Sequence, residues 1–452
     1  MNRRFILALL LGLIAFVITD SLAVIFIFLL VYVLGLGILK ILKQDQKGLS
    51  IYSISIGASL IYALLLYLFM QDNDYLYLQS YDGYTVYLPY TEELLGTNSL
   101  FELIITIYNT SRYAFVGSIL IPFVYVGKLS RFFGGDLYLP IQFVIMFFSS
   151  LASVVVYNIL VVNRIYKKKA YKYTLLYSLL SVQFIMSTYI VRDMPITLFY
   201  GLLIFLSFKP FSIKRVLLMI LIIMAIITIR LSSGIFASIY VFLVVFFVRA
   251  HKSGWQKIIS LIFIIASVTV LFNYVDLVYQ TFEAKSKHYI ALESEDQGGA
   301  STLKTFDVLP PGLSHLAKAT YNQLMPIPSW RSMIQTSFRP ESYNVMNFPN
   351  VINVFFRYLM WGVIIISLFF RRLRKIIIKD KLLFSHFVIA ITFLMLQSST
   401  MGHRRMMGVY PVFFLIALLL FDNFDKNNKQ LTIGILTILF FGFQFFGALY
   451  LI

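Results

Sequence analysis

Cysteine is absent from the 452 residues. That removes disulfides, thiolate metal sites and thiol nucleophiles together. Charge is scarce too: 13% of residues are Asp, Glu, Lys or Arg, against about a quarter in a soluble domain. Acids are the scarcer sign, 20 against 38 basic residues. No histidine pair has metal-ligand spacing. Neither a phosphate-cradling glycine loop nor a nucleophile elbow occurs, which argues against a cytosolic sugar nucleotide as substrate. No fixed-period repeat and no separate soluble domain interrupts the chain.

What is abundant is apolar: 60% of residues are hydrophobic. They fall into runs of roughly 18 or more, the length a helix needs to cross a bilayer. Open sheets cannot exist in hydrocarbon, because unpaired backbone groups cannot be hydrated there. The expected fold class is therefore an all-α polytopic membrane protein with about 13 transmembrane helices, forming one transmembrane domain over residues 1–452. The net charge of +18 sits mostly in short loops, as the positive-inside rule expects, and so does not point to nucleic acid. The first run, Phe5 to Ile18, follows Arg3 and Arg4 but lacks a small-residue cleavage site. It reads as a retained span with a cytoplasmic N-terminus.

Expected spans lie at about Phe5–Thr19, Leu22–Leu42 and Ile51–Met70. A large outer loop, 71–136, follows. Gly117–Val126 is apolar but short and contains Pro122. If it crossed the membrane, Lys167-Lys168-Lys169 and all later basic loops would be inverted. Reading Thr91–Tyr108 and Ser111–Val126 as helices on the outer surface puts every basic loop on the inner face. The next spans are then Leu137–Val162, Thr174–Val191, Pro195–Phe208, Val216–Ile229, Ile235–Val248 and Ile258–Phe272. Val351–Phe370, Leu382–Leu396, Val409–Phe421 and Leu431–Leu449 complete the set. Residues 273–350 form a second outer segment, rich in Pro, Gly and Ser, expected as an irregular lid with short helices.

The informative charges break the positive-inside pattern. Arg192-Asp193, Arg230 and His403-Arg404-Arg405 all fall on the outer side, each at the mouth of an inward-running helix. Pro195 suits a first turn, and Ser232, Ser233 and Gly234 suit a cap. Such helix starts direct unpaired N–H groups and the positive dipole end at the same surface. Guanidinium suits phosphate oxygens better than ammonium does, so the set reads as a site for a lipid-linked diphosphate or phosphate. The competing reading is that these arginines snorkel to lipid phosphates or pair with Asp193.

Carboxylates open the first outer loop: Asp72, Asp74 and Asp82. Transfer of a sugar from a lipid phosphate to a hydroxyl needs a carboxylate to take the acceptor proton and cations to stabilise the leaving phosphate. Asp72 and Asp74, two apart, also have the spacing to share a divalent cation; no other cofactor is called for. Glu92, Glu93 and Glu102 read as solvated acids. Tyr84 and Tyr87 stand among a dense tyrosine group whose flat amphipathic rings suit sugar stacking. Trp330 and Arg331 would line the acceptor side.

Asp82-Gly-Tyr-Thr-Val-Tyr in the first large outer loop, two surface helices after it, Arg192-Asp193, Arg230-Leu-Ser-Ser-Gly, and Arg404-Arg405 shortly before Tyr410-Pro411 together carry a resemblance. The layout resembles the GT-C superfamily of integral-membrane glycosyltransferases and the related polymerases of bacterial polysaccharide assembly. By that resemblance Asp82 would be the catalytic acid, with Asp74 as its rival, because Gly rather than a second acid follows Asp82. Arg192, Arg230, Arg404 and Arg405 would hold the lipid phosphate, and Asp193, Tyr84, Tyr87, His403, Trp330 and Arg331 would contact substrate. The resemblance implies the bacterial inner membrane, a polyprenyl-linked sugar donor and a glycan acceptor. The alternative is a lipid-linked oligosaccharide flippase or other polysaccharide transporter. That reading calls for ionisable residues near the bilayer midplane, whereas the charges in the sequence cluster at one surface.

Overall fold

The computed structural model describes residues 3–72, 82–210, 212–249, 306–324, 329–330, 348–396 and 407–451. Helices make up the fold, and no strand occurs among the described residues. Among the described residues five helices are long and apolar enough to cross a membrane: Leu22–Ile41, Gln46–Phe69, Tyr138–Val162, Phe348–Phe369 and Lys426–Gly447. Shorter apolar helices include Arg4–Thr19, Asp193–Phe208, Leu231–Val244, Lys381–Met395 and Met407–Asp422. The expected span Ile258–Phe272 lies outside the described residues.

The chain divides into two compact units. The first holds Met1–Phe205, Thr228–Arg230 and Ser332–Asn353; the second holds Leu206–Ile227, Leu231–Arg331 and Val354–Ile452. In the first unit, helix Tyr138–Val162 is buried on nearly every side, as a helix that is apolar all round must be. It packs on Gln46–Asp72, and polar side chains stitch its seams. Ser153 meets Ser55 at 3.3 Å, Gln183 donates to Ser149 O at 2.8 Å and to Ser153 Oγ at 2.7 Å, and Ser187 donates to Ser59 at 2.7 Å. In hydrocarbon such bonds are favoured because a polar group there has no water to turn to.

One end of this unit is fastened by Asp45. Its carboxylate accepts the Gly48 N–H at 3.0 Å and the Tyr157 hydroxyl at 2.9 Å, and pairs with Lys167 at 3.2 Å. Burial works against the ionised form. The Gly48 amide, the Tyr157 hydroxyl and the Lys167 ammonium outweigh it and hold the Asp45 carboxyl below its ordinary value.

Two expectations need correction. The predicted span Thr174–Val191 is not one helix: Lys167–Leu180 ends at Ser181, whose extended backbone starts the short helix Val182–Met186. Ser181 Oγ accepts the Gln183 N–H at 3.3 Å, a local bond that competes with helix continuation. The two surface helices are also four, Leu88–Leu94, Leu100–Asn109, Ser111–Val116 and Leu120–Phe132. Ser99 caps the second, accepting from Glu102 N–H at 3.1 Å while Glu102 accepts the Asn98 N–H at 2.7 Å. This is a capping-box exchange displaced by one residue. Leu120–Phe132 has 13 residues, about 20 Å of helix, too short for a hydrocarbon layer of about 30 Å. Glu92 and Glu93 pair with Arg131 and Arg112 at 2.7 and 2.6 Å, so these acids tie the surface helices together.

In the second unit, helices Leu231–Arg249 and Lys381–Leu396 enclose His386, which has no exposed surface. Its Nε2 lies 2.9 Å from Ser207 Oγ, and its Nδ1 meets the Tyr240 hydroxyl. His386→Ala would leave two hydroxyls buried without this partner, each costing about 1–3 kcal/mol. The expected result is a loss of roughly 3 kcal/mol, read as a fall in thermal stability of the detergent-purified chain. His386→Gln, which can still bond one hydroxyl, should lose about half as much.

Candidate functional site

The predicted residues that meet do so around a break between helices Ile213–Ile229 and Leu231–Arg249. Arg230 occupies that break. Its Nη1 lies 3.0 Å from Asp193 Oδ1, and the two side chains are 14% and 7% exposed. Asp193 begins helix Asp193–Phe208, where a carboxylate also favours the positive end of the helix dipole. Thr197 donates to Asp193 O at 2.8 Å. Tyr200, buried, lies one further turn along, near enough to feel the Arg230 charge. Asp193, Thr197 and Tyr200 thus share one helix face, by the i, i+4, i+7 spacing.

Arg192 has other partners. Its Nη1 donates to Val116 O and Ile229 O, both at 3.4 Å. Val116 and Ile229 are the last residues of their helices, so this cation meets carbonyls left without helical partners at two C-terminal ends. Its backbone N–H donates to the Tyr87 hydroxyl at 3.3 Å. Burial pushes the Tyr87 phenol up, against the opposing Arg192 charge, so it remains a neutral hydroxyl.

Tyr87 closes the π-helical turn Gly83–Tyr87, in which Leu88 N–H reaches back to Gly83 O. Asp82 stands at the head of that turn, half-buried. The turn therefore carries Asp82 at one end and, at the other, the tyrosine that touches Arg192. Such wide turns recur at functional positions inside helices. Tyr84 packs its ring 5.4 Å from that of Tyr138, and Tyr87 sits edge-on to Phe123 at 6.1 Å.

Sequence reasoning passed over Gly117, which holds this arrangement shut. Its φ of +82° favours glycine, and a Cβ there would lie 2.4 Å from Thr228 O and 2.8 Å from Ile229 O. Next to it, Ser118 N–H donates to Thr228 O at 3.0 Å and the Ser118 and Thr228 hydroxyls meet at 3.0 Å. Tyr108 donates to the same carbonyl at 3.2 Å. The only sequence signal was a glycine breaking an apolar stretch.

Of the remaining candidates, Asp74, Arg331, His403, Arg404 and Arg405 lie outside the described residues, and Asp72 is the last residue of its helix. Trp330 belongs to the second unit and is 39% exposed. No group of three or more His, Cys, Asp or Glu suited to a metal occurs among the described residues. Ser232 and Ser233, expected as caps, fall within the first turn of Leu231–Arg249.

Charges do not all gather at one surface, contrary to expectation. Arg357, 2% exposed, sits near the middle of helix Phe348–Phe369 and hydrogen-bonds Tyr410. Tyr410 donates in turn to Gln323 Oε1 at 2.9 Å. Sequence reading missed both Arg357 and His386, because each is a lone ionisable residue within an apolar run.

Chemically, the first-unit cluster sets two guanidinium groups against one carboxylate, with a neutral phenol beside them. Among the described residues Arg230 hydrogen-bonds Asp193 through Nη1, and a guanidinium has five N–H donors. Comparison with protein-family models, with curated proteins and with solved structures returns no match.

Proposed function

We propose that this chain is a GT-C-like integral-membrane glycosyltransferase of the bacterial inner membrane. It takes a polyprenyl-phosphate-linked sugar at the outer face and passes it to a glycan acceptor in cell-surface polysaccharide or glycolipid assembly. A repeat-unit polymerase is one form of such an enzyme. The observation that carries the reading is Arg230, nearly buried, held by Asp193 through one N–H and linked through Arg192 and Tyr87 to the turn that begins at Asp82. In the reaction the Asp82 carboxylate takes the acceptor hydroxyl proton while the new bond to the sugar C1 forms. The bond from C1 to the phosphate oxygen breaks, and the lipid phosphate leaves with the electron pair. Arg230 stabilises the charge that develops there.

Transfer from a radiolabelled lipid-linked sugar in membrane vesicles tests this. Asp82→Asn should lower the rate by about 10²–10⁴, the usual contribution of a general base, and Arg230→Lys should lower it less than Arg230→Ala. Full activity in Asp82→Asn and Arg230→Ala would end the proposal. The second reading, a lipid-linked glycan transporter, is favoured by Arg357, because an ionisable residue inside an apolar helix is a common mark of a substrate path. It predicts the opposite outcome in the same vesicles: label crosses the bilayer without being transferred, and Arg357→Leu abolishes the crossing.

A further inference from the structure

Helix Arg371–Lys379 joins two apolar helices, Phe348–Phe369 and Lys381–Leu396. Its sequence, RRLRKIIIK, buries Leu373 and Ile377, four residues apart. Arg371, Lys375 and Lys379 form a row along a different face, at i, i+4 and i+8. With Arg372 and Lys381 they line an open cleft of about 1140 Å³. The acid in that lining, Asp380, is engaged: its Oδ1 accepts the Leu382 and Leu383 N–H groups, both at 3.1 Å, and so caps the next helix. Arg372 lies 3.9 Å from Asp425, with both side chains well exposed, a pairing that contributes little.

Ile376 and Leu382 line the cleft with these cations, and apolar side chains that adjoin them in the chain are exposed. Phe369 is 82% exposed, Ile378 59%, and Phe370 and Phe384 are exposed as well. A basic row next to exposed apolar groups, between two apolar helices, is what a helix lying in the membrane interface presents. A topology signal needs the positive charge alone; it needs neither a cleft nor an apolar rim.

We propose that this cleft binds the phosphate headgroup of an anionic membrane phospholipid, with Arg371, Arg372 and Lys375 on the phosphate oxygens and the acyl chains against Phe369, Phe370 and Ile378. A soluble polyphosphate would match the cations and leave the apolar rim in water, so lipid is the better fit.

The test uses the full-length protein in mixed micelles, with lipid retention read by native mass spectrometry. The wild type should retain phosphatidylglycerol over phosphatidylcholine, and inorganic pyrophosphate should not displace it. The variant R371Q/R372Q/K375Q should weaken retention by on the order of 100-fold, at about fivefold per cation near an anionic surface. The charge-matched K168Q/K169Q/K172Q, on the basic helix Lys167–Leu180, should change it less than about twofold, because none of these lysines lines the cleft. Equal retention of the two lipids by the wild type would overturn the proposal. So would equal loss in both triple variants, or displacement by pyrophosphate, which would mark a site for soluble anions. If the first variant does not accumulate, the wild-type lipid preference and the pyrophosphate arm decide the matter alone.

Discussion

Asp193→Ala is expected to destabilise the first unit by about 3–5 kcal/mol, the cost of removing one member of a buried ion pair. The size follows from what is left behind. Arg230 keeps its charge at 14% side-chain exposure with its carboxylate gone, and a charge cannot remain in such a place cheaply. Helix Asp193–Phe208 also loses the anion at its positive end, a smaller effect of about 0.3–1 kcal/mol. The informative comparison is the double replacement Asp193→Leu with Arg230→Met. Exchanging a buried pair for apolar side chains of similar volume is often neutral, so unfolding in mixed micelles should return to within about 1 kcal/mol of the wild type. Sugar transfer should not return with it. Recovery of both would mean that the pair is only structural. Loss of stability without recovery would mean that it fixes the register of the break at Arg230.

Gly117→Ala is the second large effect, expected at about 2–4 kcal/mol. The Gly117 backbone, φ +82° and ψ −165°, lies in a region essentially restricted to glycine and costs a residue with a Cβ about 1–3 kcal/mol. The remainder is collision: the new carbon would meet Thr228 O at 2.4 Å, and a backbone carbonyl cannot swing aside as a side chain can. Gly134 provides the control. It has φ +72° but no atom within 4 Å of the position a Cβ would take, so Gly134→Ala should cost only the backbone part, about 1–2 kcal/mol. The difference between the two, measured under one set of unfolding conditions, reports the contact with Thr228 and Ile229 together with the glycine-only backbone of Gly117. Because Val116 precedes Gly117 and its carbonyl receives Arg192, the same variant should also lower transfer activity.

The helices were legible wherever long apolar runs left one solution. Leu137–Val162 was expected and Tyr138–Val162 found; Val351–Phe370 was expected and Phe348–Phe369 found. Reading failed where a short local bond overrode hydropathy. Ser181 ends a helix in the middle of an apolar stretch, and Ser99 starts one. The basic block Lys167–Lys169 misled in the opposite direction: charge places a segment outside the hydrocarbon but does not prevent a helix, and Lys167–Leu180 begins with that block.

For the site, Arg192 and Arg230 stood out as cations on the wrong side of the topology. Asp193 was legible as a competing partner for them, but not which arginine it takes, and Tyr87 was not legible as a partner at all. Asp193 adjoins Arg192 in the chain yet pairs with Arg230, 37 residues on, and Tyr87 reaches Arg192 across 105 residues. Side-chain spacing reports neighbours on one helix; it carries nothing about which helix ends the fold brings side by side. Arg357 and His386 were hidden for another reason. Averaging hydropathy over a window dilutes a single charge among many apolar neighbours, although that lone charge is the more telling residue.

The fastening at Asp45 has a mechanical consequence. Helix Gln46–Asp72 starts beside it, and Tyr138–Val162 is held to it through Tyr157. A helix of 27 residues is a lever of about 40 Å. Ser55 and Ser59 hold it again further along, to Ser153 and Ser187, so the arm left beyond Ser59 is about 20 Å. A tilt of about 5° moves its tip by roughly 2 Å over that arm, and the rocking is largest where Asp72 hands the chain on towards Asp82.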